Sequence, residues 1–541
     1  MSSMIVAPQP IAVEEGAKVL REGGNAIDAV VTCALVQSVV SPQMCGIGGY
    51  SILTLSLASD HPSHSSPELI SLDAPALAGS RVTSDMWQDV AIRPNPDGWG
   101  YFVRGKINDQ GYRSICTPGT VRALATMLER WGTISWQQAI APAARIAQQG
   151  FVVDAHLAAG WRRKAAYSEA CSLVQTIQAN AEARRIYLHR DGKPYAAGET
   201  LHNPDYARTL LQLAQRGADD FYQGDLAGRM SEDLAANGSF VTADDFASYQ
   251  VREPRPLVGT YRDFAVFTSP PPHGGPTLLA ILNILESYDL GVLGHNSPDY
   301  IFLLSMAMKA AFADRNLYLG DPEFVDVPLK RVTSKERAEK WRRRIDRGQE
   351  ITVAFVPPEP PDTTHVSVVD GLGNAVALTH SLGSSSGVIT PGLGFMYNNS
   401  MVNFRPWPGH ANSIAPRKAR TTGMTPTIVH KDGHPLLIIG APGATRIITS
   451  LAQVVCNVLD FGMSISDAVL APRFDCQGDL IKCQARIPEY VCEQVRKKHP
   501  IRRLPQSHGG LALVHAITID PRTGRVAGGA DAGSGGMALE V

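Results

Sequence analysis

Residues 355–365 read Phe355-Val356-Pro357-Pro358-Glu359-Pro360-Pro361-Asp362-Thr363-Thr364-His365. The four prolines remove backbone donors and fix φ, so this is an extended, exposed segment that cannot be a central strand. Immediately afterwards the pattern takes a period of two: His365 to Val369, an Asp370-Gly371-Leu372-Gly373-Asn374 turn, then Ala375 to Thr379. That is a β-hairpin in sequence. The same grammar returns in Thr427 to His430 with Leu436 to Ile439, and in Val514 to Ile519 with Arg525 to Ala527. The C-terminal third is therefore expected to build an antiparallel sheet. Helices expected over Thr445 to Asp460 and Pro488 to Lys498 would pack on it as separate layers.

Upstream the pattern is mainly helical. Two helices are expected over residues 11–21 and 26–40, with Gly23-Gly24 ending the first and Asn25 capping the second. Tyr50 to Leu57 and Glu68 to Leu72 read as strands. From about 118 to 350 apolar residues recur in threes and fours. The rigid Ser269-Pro270-Pro271-Pro272-His273-Gly274-Gly275-Pro276 stretch interrupts them as a loop, expected near the site.

The 541 residues are 44% hydrophobic and 19% charged, as in folded globular proteins. Fifty Lys+Arg against 51 Asp+Glu leave a net charge of −1. No basic field is present for nucleic acid or an anionic membrane, so a small-molecule partner is expected. No apolar run is long enough to span a bilayer. The first ten residues lack a basic segment and an apolar core, so a cytoplasmic protein is expected. Eight cysteines without a C-x-x-C pair, and histidines without H-E-x-x-H, suggest neither a disulfide framework nor a metal site. Gly46-Ile47-Gly48-Gly49 is not a dinucleotide fingerprint, and no cofactor is expected.

Two stretches can carry chemistry. A threonine hydroxyl is a poor nucleophile that needs a base, and a chain-terminal threonine has one in its own amine, of pKa about 8. Cleavage between Asp362 and Thr363 would create that amine. Taken alone, a Thr-Thr pair opening a strand reads as cross-strand packing. Gly440-Ala441-Pro442-Gly443-Ala444-Thr445-Arg446 precedes an apolar helix. It is either an ordinary strand–turn–helix connection or a set of backbone N–H groups aimed at a developing oxyanion.

A series of landmarks then runs in order from about residue 5 to about 475. They are Gly23-Gly24-Asn25-Ala26-Ile27-Asp28-Ala29, Gly46-Ile47-Gly48-Gly49, Thr117-Pro118-Gly119-Thr120, Pro270 to Gly275, Tyr318-Leu319-Gly320-Asp321-Pro322, Thr363-Thr364-His365, Asn398-Asn399, Met424-Thr425-Pro426-Thr427 and Pro442 to Arg446. Together they resemble the gamma-glutamyltranspeptidase family. The resemblance implies an N-terminal nucleophile hydrolase of the α+β class, a four-layer αββα sandwich made as a precursor. Cutting before Thr363 would give a large subunit, 1–362, entwined with a small one, 363–541. By the same resemblance Thr363 attacks an amide and carries the acyl group, its α-amine is the base, and the N–H groups of Gly443 and Ala444 form the oxyanion hole. Ser381 takes the place of a helper hydroxyl that is usually threonine, and Ala444 that of a usual glycine. The implied activity is cleavage of a gamma-glutamyl or related amide, with water or an amine as acceptor.

The positions that resemblance assigns to substrate binding are Gly383, Asn399, Ser400, Asn403, Thr422 and Gly423, and several depart from the pattern. An Arg-Glu-x-Ala-Pro segment that supplies a cation is replaced by Ser71-Leu72-Asp73-Ala74-Pro75. The aspartate of Asn-Asn-Gln-Met-x-Asp-Phe, which accepts an ammonium, is Asn403, and its glutamine is Ser400. Paired serines become Thr422-Gly423, and a side-chain amide becomes Gly383. Each buried charge needs a partner, so these losses point to a different acyl group. Arg104, Arg113, Arg446 and Asp73 are the candidates for compensation. Trp407 and Tyr397 are candidates to line the pocket, and His365 reads as structural. The short Arg405 to His410 segment implies an open cleft in which hydrolysis outruns transfer. Two alternatives stay open: an acylase for a glutaryl- or oxalyl-type amide, and an unprocessed, non-catalytic binding protein of the same fold.

Overall fold

The computed structural model describes residues 1–58, 68–94, 100–165, 167–353 and 363–541. The proline-rich run and Asp362 lie outside the described residues. The strands that build the core are β1 (Met4–Ala7), β2 (Tyr50–Leu57), β3 (Glu68–Ala74), β4 (Leu257–Tyr261), β5 (Phe264–Thr268), β6 (Thr364–Val369), β7 (Ala375–Ser381), β8 (Thr427–Lys431), β9 (His434–Gly440), β10 (His515–Ile519), β11 (Val526–Ala530) and β12 (Met537–Glu540). Among the described residues they form two six-stranded antiparallel sheets, β12-β1-β6-β7-β2-β3 and β11-β10-β9-β8-β5-β4. Helices α1 (Pro10–Arg21), α2 (Ala26–Val40), α3 (Thr120–Trp131) and α4 (Trp136–Gln149) cover the first sheet. Helices α5 (Gly275–Leu285), α6 (Pro298–Tyr318), α7 (Lys335–Asp346) and α8 (Arg446–Leu459) cover the second.

The period-two pattern explains the layering. Ile5, Val366, Val368, Val376 and Leu378 face outward into the core beneath α1 to α4. Their sequence neighbours Met4, Val6, Val369, Ala375 and Ala377 face inward and meet Ile428, Ile438, Ile517 and Ile519 of the other sheet. Val429, Leu437 and Ile439 turn outward again, under α5, α6 and α8. Three apolar interfaces separate four layers, the αββα sandwich. A one-residue slip would exchange every one of these faces.

Two polar ties fix the β6–β7 hairpin against α2. Asp370 in its turn accepts the N–H of Ala26, the first residue of α2, at 2.9 Å, and those of Leu372 and Asn374 at 3.0 Å. At the other end, Gln37 Nε2 donates to Thr364 Oγ1 (3.1 Å) and to the His365 carbonyl (3.3 Å), while Gln37 Oε1 accepts from His380 Nε2 (2.9 Å). The expected Asn25 cap is a full capping box, in which Asp28 returns a bond to the Asn25 N–H. Four of these strands escape the sequence reading, among them the C-terminal β12. β1 has four residues before a proline, and β4–β5 lies inside the region read as helical.

Burial holds three histidines around β6 neutral. His365 is shifted well below its usual pKa by desolvation and then by His515 and His380, while desolvation brings His380 to about 3 and His515 to about 4. A histidine whose folded pKa is depressed takes up its proton in the unfolded chain first. Its contribution to stability is complete above pH about 6.5 and declines below it, by about 1.4 kcal/mol per pH unit per residue. The thermal midpoint should therefore fall between pH 6.5 and 5, before carboxylates titrate, and His380→Phe should flatten that slope. A midpoint constant across this window would contradict the assignment.

Candidate active site

Thr363 immediately precedes β6, and the register that pairs Thr364 with His380 brings it opposite Ser381, the last residue of β7. The Thr363 and Ser381 hydroxyl oxygens are 3.0 Å apart, both buried. The Gly383 N–H donates to Ser381 Oγ at 2.9 Å and leaves the serine proton free to be given to Thr363 Oγ1. Such a contact stabilises negative charge developing on Oγ1 but cannot itself remove a proton. The nearby imidazoles cannot do so either: His365 is bonded to Thr379 and Ser367, and His515 to the Leu513 carbonyl and Ser534.

The loop after β9 carries Gly443 at φ +141° and Ala444 at φ +63°, two residues before α8 begins. A Cβ on Gly443 would lie 2.5 Å from the Ala512 backbone, so only glycine fits. The Leu513 N–H donates to the Pro442 carbonyl at 3.0 Å, and Arg473 Nη2 donates to the Ala512 carbonyl at 3.0 Å. Arg473 is itself ion-paired with buried Asp531. A helix N-terminus with its preceding amides rigidly backed is suited to stabilising an oxyanion.

Asn398 braces the site, donating to the Gly48 and Cys116 carbonyls at 2.9 and 2.8 Å. Asn399 is likewise engaged, accepting from Ser384 N–H at 2.8 Å and donating to Asp109 at 3.0 Å. Thr422 and Asp73 are joined through a residue the sequence had placed only on a loop. His273 Nδ1 lies 2.7 Å from Thr422 Oγ1 and its Nε2 lies 2.9 Å from Asp73 Oδ1, all three side chains buried. Asp73, one of the candidates for compensation, is thus committed to His273. By contrast Ser400 Oγ and both amide atoms of Asn403 are buried without a hydrogen-bond partner. Arg420, which the sequence reading missed, is a buried cation over the Tyr50 ring and bonded to its hydroxyl. Tyr50 is the strand partner of Ser381.

A cavity of about 410 Å³ opens beside the Gly443 loop. Its walls include Tyr101, Phe102, Tyr167, Arg163, Lys164 and Arg446. It shares Met44, Pro442 and Leu513 with the small cleft that holds Thr363. Of the three candidate arginines, Arg446 lines it, whereas Arg104 and Arg113 do not. Tyr397 is buried away from it, and Trp407 packs edge-on against Tyr101 at 5.6 Å. Asn403, Thr422 and Gly423 lie outside its walls. The aromatic lining comes from short strands and loops whose pattern gave no signal.

Gly443→Ala should lower amide turnover by at least about 100-fold through displacement of the loop, the scale of a lost oxyanion donor. Ala444→Gly should leave stability within about 0.5 kcal/mol, because relief of left-handed strain offsets the added chain entropy. Steady-state rates and thermal midpoints of the two variants check both; full activity in Gly443→Ala would contradict the reading of this loop.

The comparisons agree with this geometry. The sequence profile described as Gamma-glutamyltranspeptidase matches residues 12–541. An acylase ACY 1 proenzyme from Pseudomonas sp. (strain V22) is 34% identical over 524 residues, covering 96% of this chain and 90% of the relative. The glutathione hydrolase proenzyme of Escherichia coli (strain K12) is 33% identical over 493 residues, covering 88% and 81%. The crystal structure of a cephalosporin acylase from Bacillus halodurans superposes with a TM-score of 0.87 at 26% identity, covering 99% of this chain and 95% of that one. A family match along nearly the whole length, on this fold, establishes that the chain belongs to the gamma-glutamyltranspeptidase family of N-terminal nucleophile hydrolases.

Proposed function

We propose that the chain cuts itself between Asp362 and Thr363 into subunits 1–362 and 363–541, and that the freed Thr363 hydrolyses an amide whose acyl group carries a carboxylate but no α-ammonium. The freed amine takes the Thr363 hydroxyl proton and Oγ1 attacks the carbonyl. Ser381 stabilises the nucleophile, while the Gly443 and Ala444 N–H groups hold the oxyanion. Water then releases the acyl group.

The observation that carries the choice of acyl group is the neutral, buried amide of Asn403, with both polar atoms unpartnered, where an ammonium would require a carboxylate. Asp73 does not substitute for it, because His273 already holds it, and the same histidine occupies the Thr422 hydroxyl. Arg420 is the cation assigned to the acyl carboxylate, and Asn403 and Ser400 supply neutral hydrogen bonds. A glutaryl-type monoamide meets these demands. Acylase and glutathione hydrolase proenzymes stand at similar identity to this chain, so the choice rests on the pocket residues. Hydrolysis is favoured over transfer because the cavity beside the nucleophile admits water.

Thr363→Ala should stay a single chain and be inactive, and Thr363→Ser should retain both cleavage and turnover at reduced rate. Wild-type protein should resolve on denaturing gels into pieces of about 39 and about 19 kDa, from a chain of 58.2 kDa. Glutaryl-anilide should be cleaved at least about tenfold faster, by kcat/KM, than gamma-glutamyl-anilide, since an unpaired buried ammonium costs more than 1.4 kcal/mol. The reverse preference would reject the acyl assignment.

A further inference from the structure

Resting on the reading in which cleavage frees Thr363, we infer that Gln43 is a further catalytic residue: its carboxamide oxygen accepts a hydrogen bond from the freed Thr363 amine and so turns the amine's lone pair toward Oγ1. Gln43 follows Ser41-Pro42 just past the C-terminal end of α2 and lines the cleft that holds Thr363. That cleft has a volume of about 20 Å³, room for about one water molecule. Gln43 and Thr363 therefore face each other at contact or across a single water. Gln43 is 4% exposed, and its Oε1 has no hydrogen-bond partner among the described residues. A buried acceptor without a donor costs stability, so its presence here calls for a donor that arrives at a later stage.

Chain cutting supplies that donor. In the intact chain the Thr363 nitrogen is an amide with one hydrogen and no basic lone pair. Hydrolysis of the Asp362–Thr363 bond leaves Asp362 as a carboxylate and replaces the nitrogen's bond to carbon by a bond to hydrogen. The neutral amine then has one donor more than before, and a lone pair that can take the Oγ1 proton if its hydrogens are held elsewhere. The other carboxamides near Thr363 are engaged. Gln37 bonds Thr364, the His365 carbonyl and His380, Gln9 Oε1 accepts from Gln37 (2.7 Å) and Thr364 (3.1 Å), and Asn399 bonds Ser384 and Asp109. Gly383, two residues past Ser381, has no room for a side chain, since a Cβ there would collide with Asn399 Oδ1. A neutral acceptor also suits a base. A carboxylate in its place would favour the ammonium form, which has no lone pair to give. Asp154, the acid on the cleft, stands exposed at its rim and accepts from the Leu157 N–H at 2.7 Å.

The test uses whichever anilide, glutaryl or gamma-glutamyl, the wild-type protein turns over faster. Gln43→Met, similar in length but without the acceptor, should still cut itself to completion, because the intact chain has no amine to orient. Its kcat should fall about 10- to 100-fold, with KM within about twofold of wild type. Gln43→Glu should keep an acceptor but move the acid limb of the kcat/KM profile up by about one pH unit, since the carboxylate holds the ammonium proton. The charged and titratable groups on the surrounding elements are Asp154 and His156 at the rim, buried His365, His380 and His515, Arg446, and the Arg473–Asp531 pair. They are the same in both proteins, so the shift reads position 43 alone. In the uncut Thr363→Ala chain, Gln43→Met should not lower the thermal midpoint, because there the oxygen has no donor to lose. Wild-type kcat in cut Gln43→Met, an unmoved acid limb in Gln43→Glu, or a lowered midpoint in the uncut chain would each overturn the inference and leave the amide-hydrolase reading standing. Failure of fully cut wild-type protein to turn over either anilide would overturn both.

Discussion

The 3.0 Å contact between the hydroxyls of Thr363 and Ser381 is the constraint on which the rest of the structure depends. It exists only if β6 and β7 pair in one register, and that register is held from both ends. Asp370 ties the turn to the N-terminus of α2, and Gln37, near the other end of the same helix, holds Thr364 and His380. A fifteen-residue helix thus acts as a ruler for the hairpin that follows Thr363. The second sheet carries the proposed oxyanion donors on the loop after β9, pinned by Leu513 and backed by Ala512. Thr363 and the Gly443–Ala444 amides therefore belong to opposite sheets of one sandwich, and the packing of the inner interface sets their separation. Gly440 shows how tight that interface is: an added Cβ would lie 2.1 Å from the His365 ring.

Much of this was legible in the sequence. The hairpins announced themselves because one face of each strand is apolar and the turns carry glycine and aspartate. Helix α2 did so through its cap, whereas the Gly440 to Arg446 loop, ambiguous by itself, was singled out by the family resemblance. What stayed hidden depends on separation along the chain. Asp73, His273 and Thr422 are brought together from positions 200 and 149 residues apart, so no local pattern could join them. β1 was invisible because four residues before a proline carry too little periodicity. Arg420 stands in the basic Arg417-Lys418-Ala419-Arg420 stretch, and only burial beside Tyr50 sets it apart.

The departures from the family pattern read in the sequence form a consistent physical set. Removing an arginine, an aspartate and a serine from one pocket would leave charges and donors stranded if the rest were unchanged. Instead Asp73 meets a histidine, that histidine meets Thr422, and a different arginine is buried next to the strand partner of Ser381. Buried polar groups are kept when they satisfy one another or a ligand. Those at Asn403 and Ser400 have no partner within the protein, and the proposed acyl group would supply one.

The central claim is that breaking the chain before Thr363 creates the base that activates it. The direct measurement is a time course in which intact-protein mass spectrometry and amide turnover are read from the same samples of freshly made protein. Activity should rise in proportion to the fraction whose small piece begins at Thr363, and extrapolate to zero for the uncut chain. Full turnover from protein whose Asp362–Thr363 bond is still intact would contradict the account.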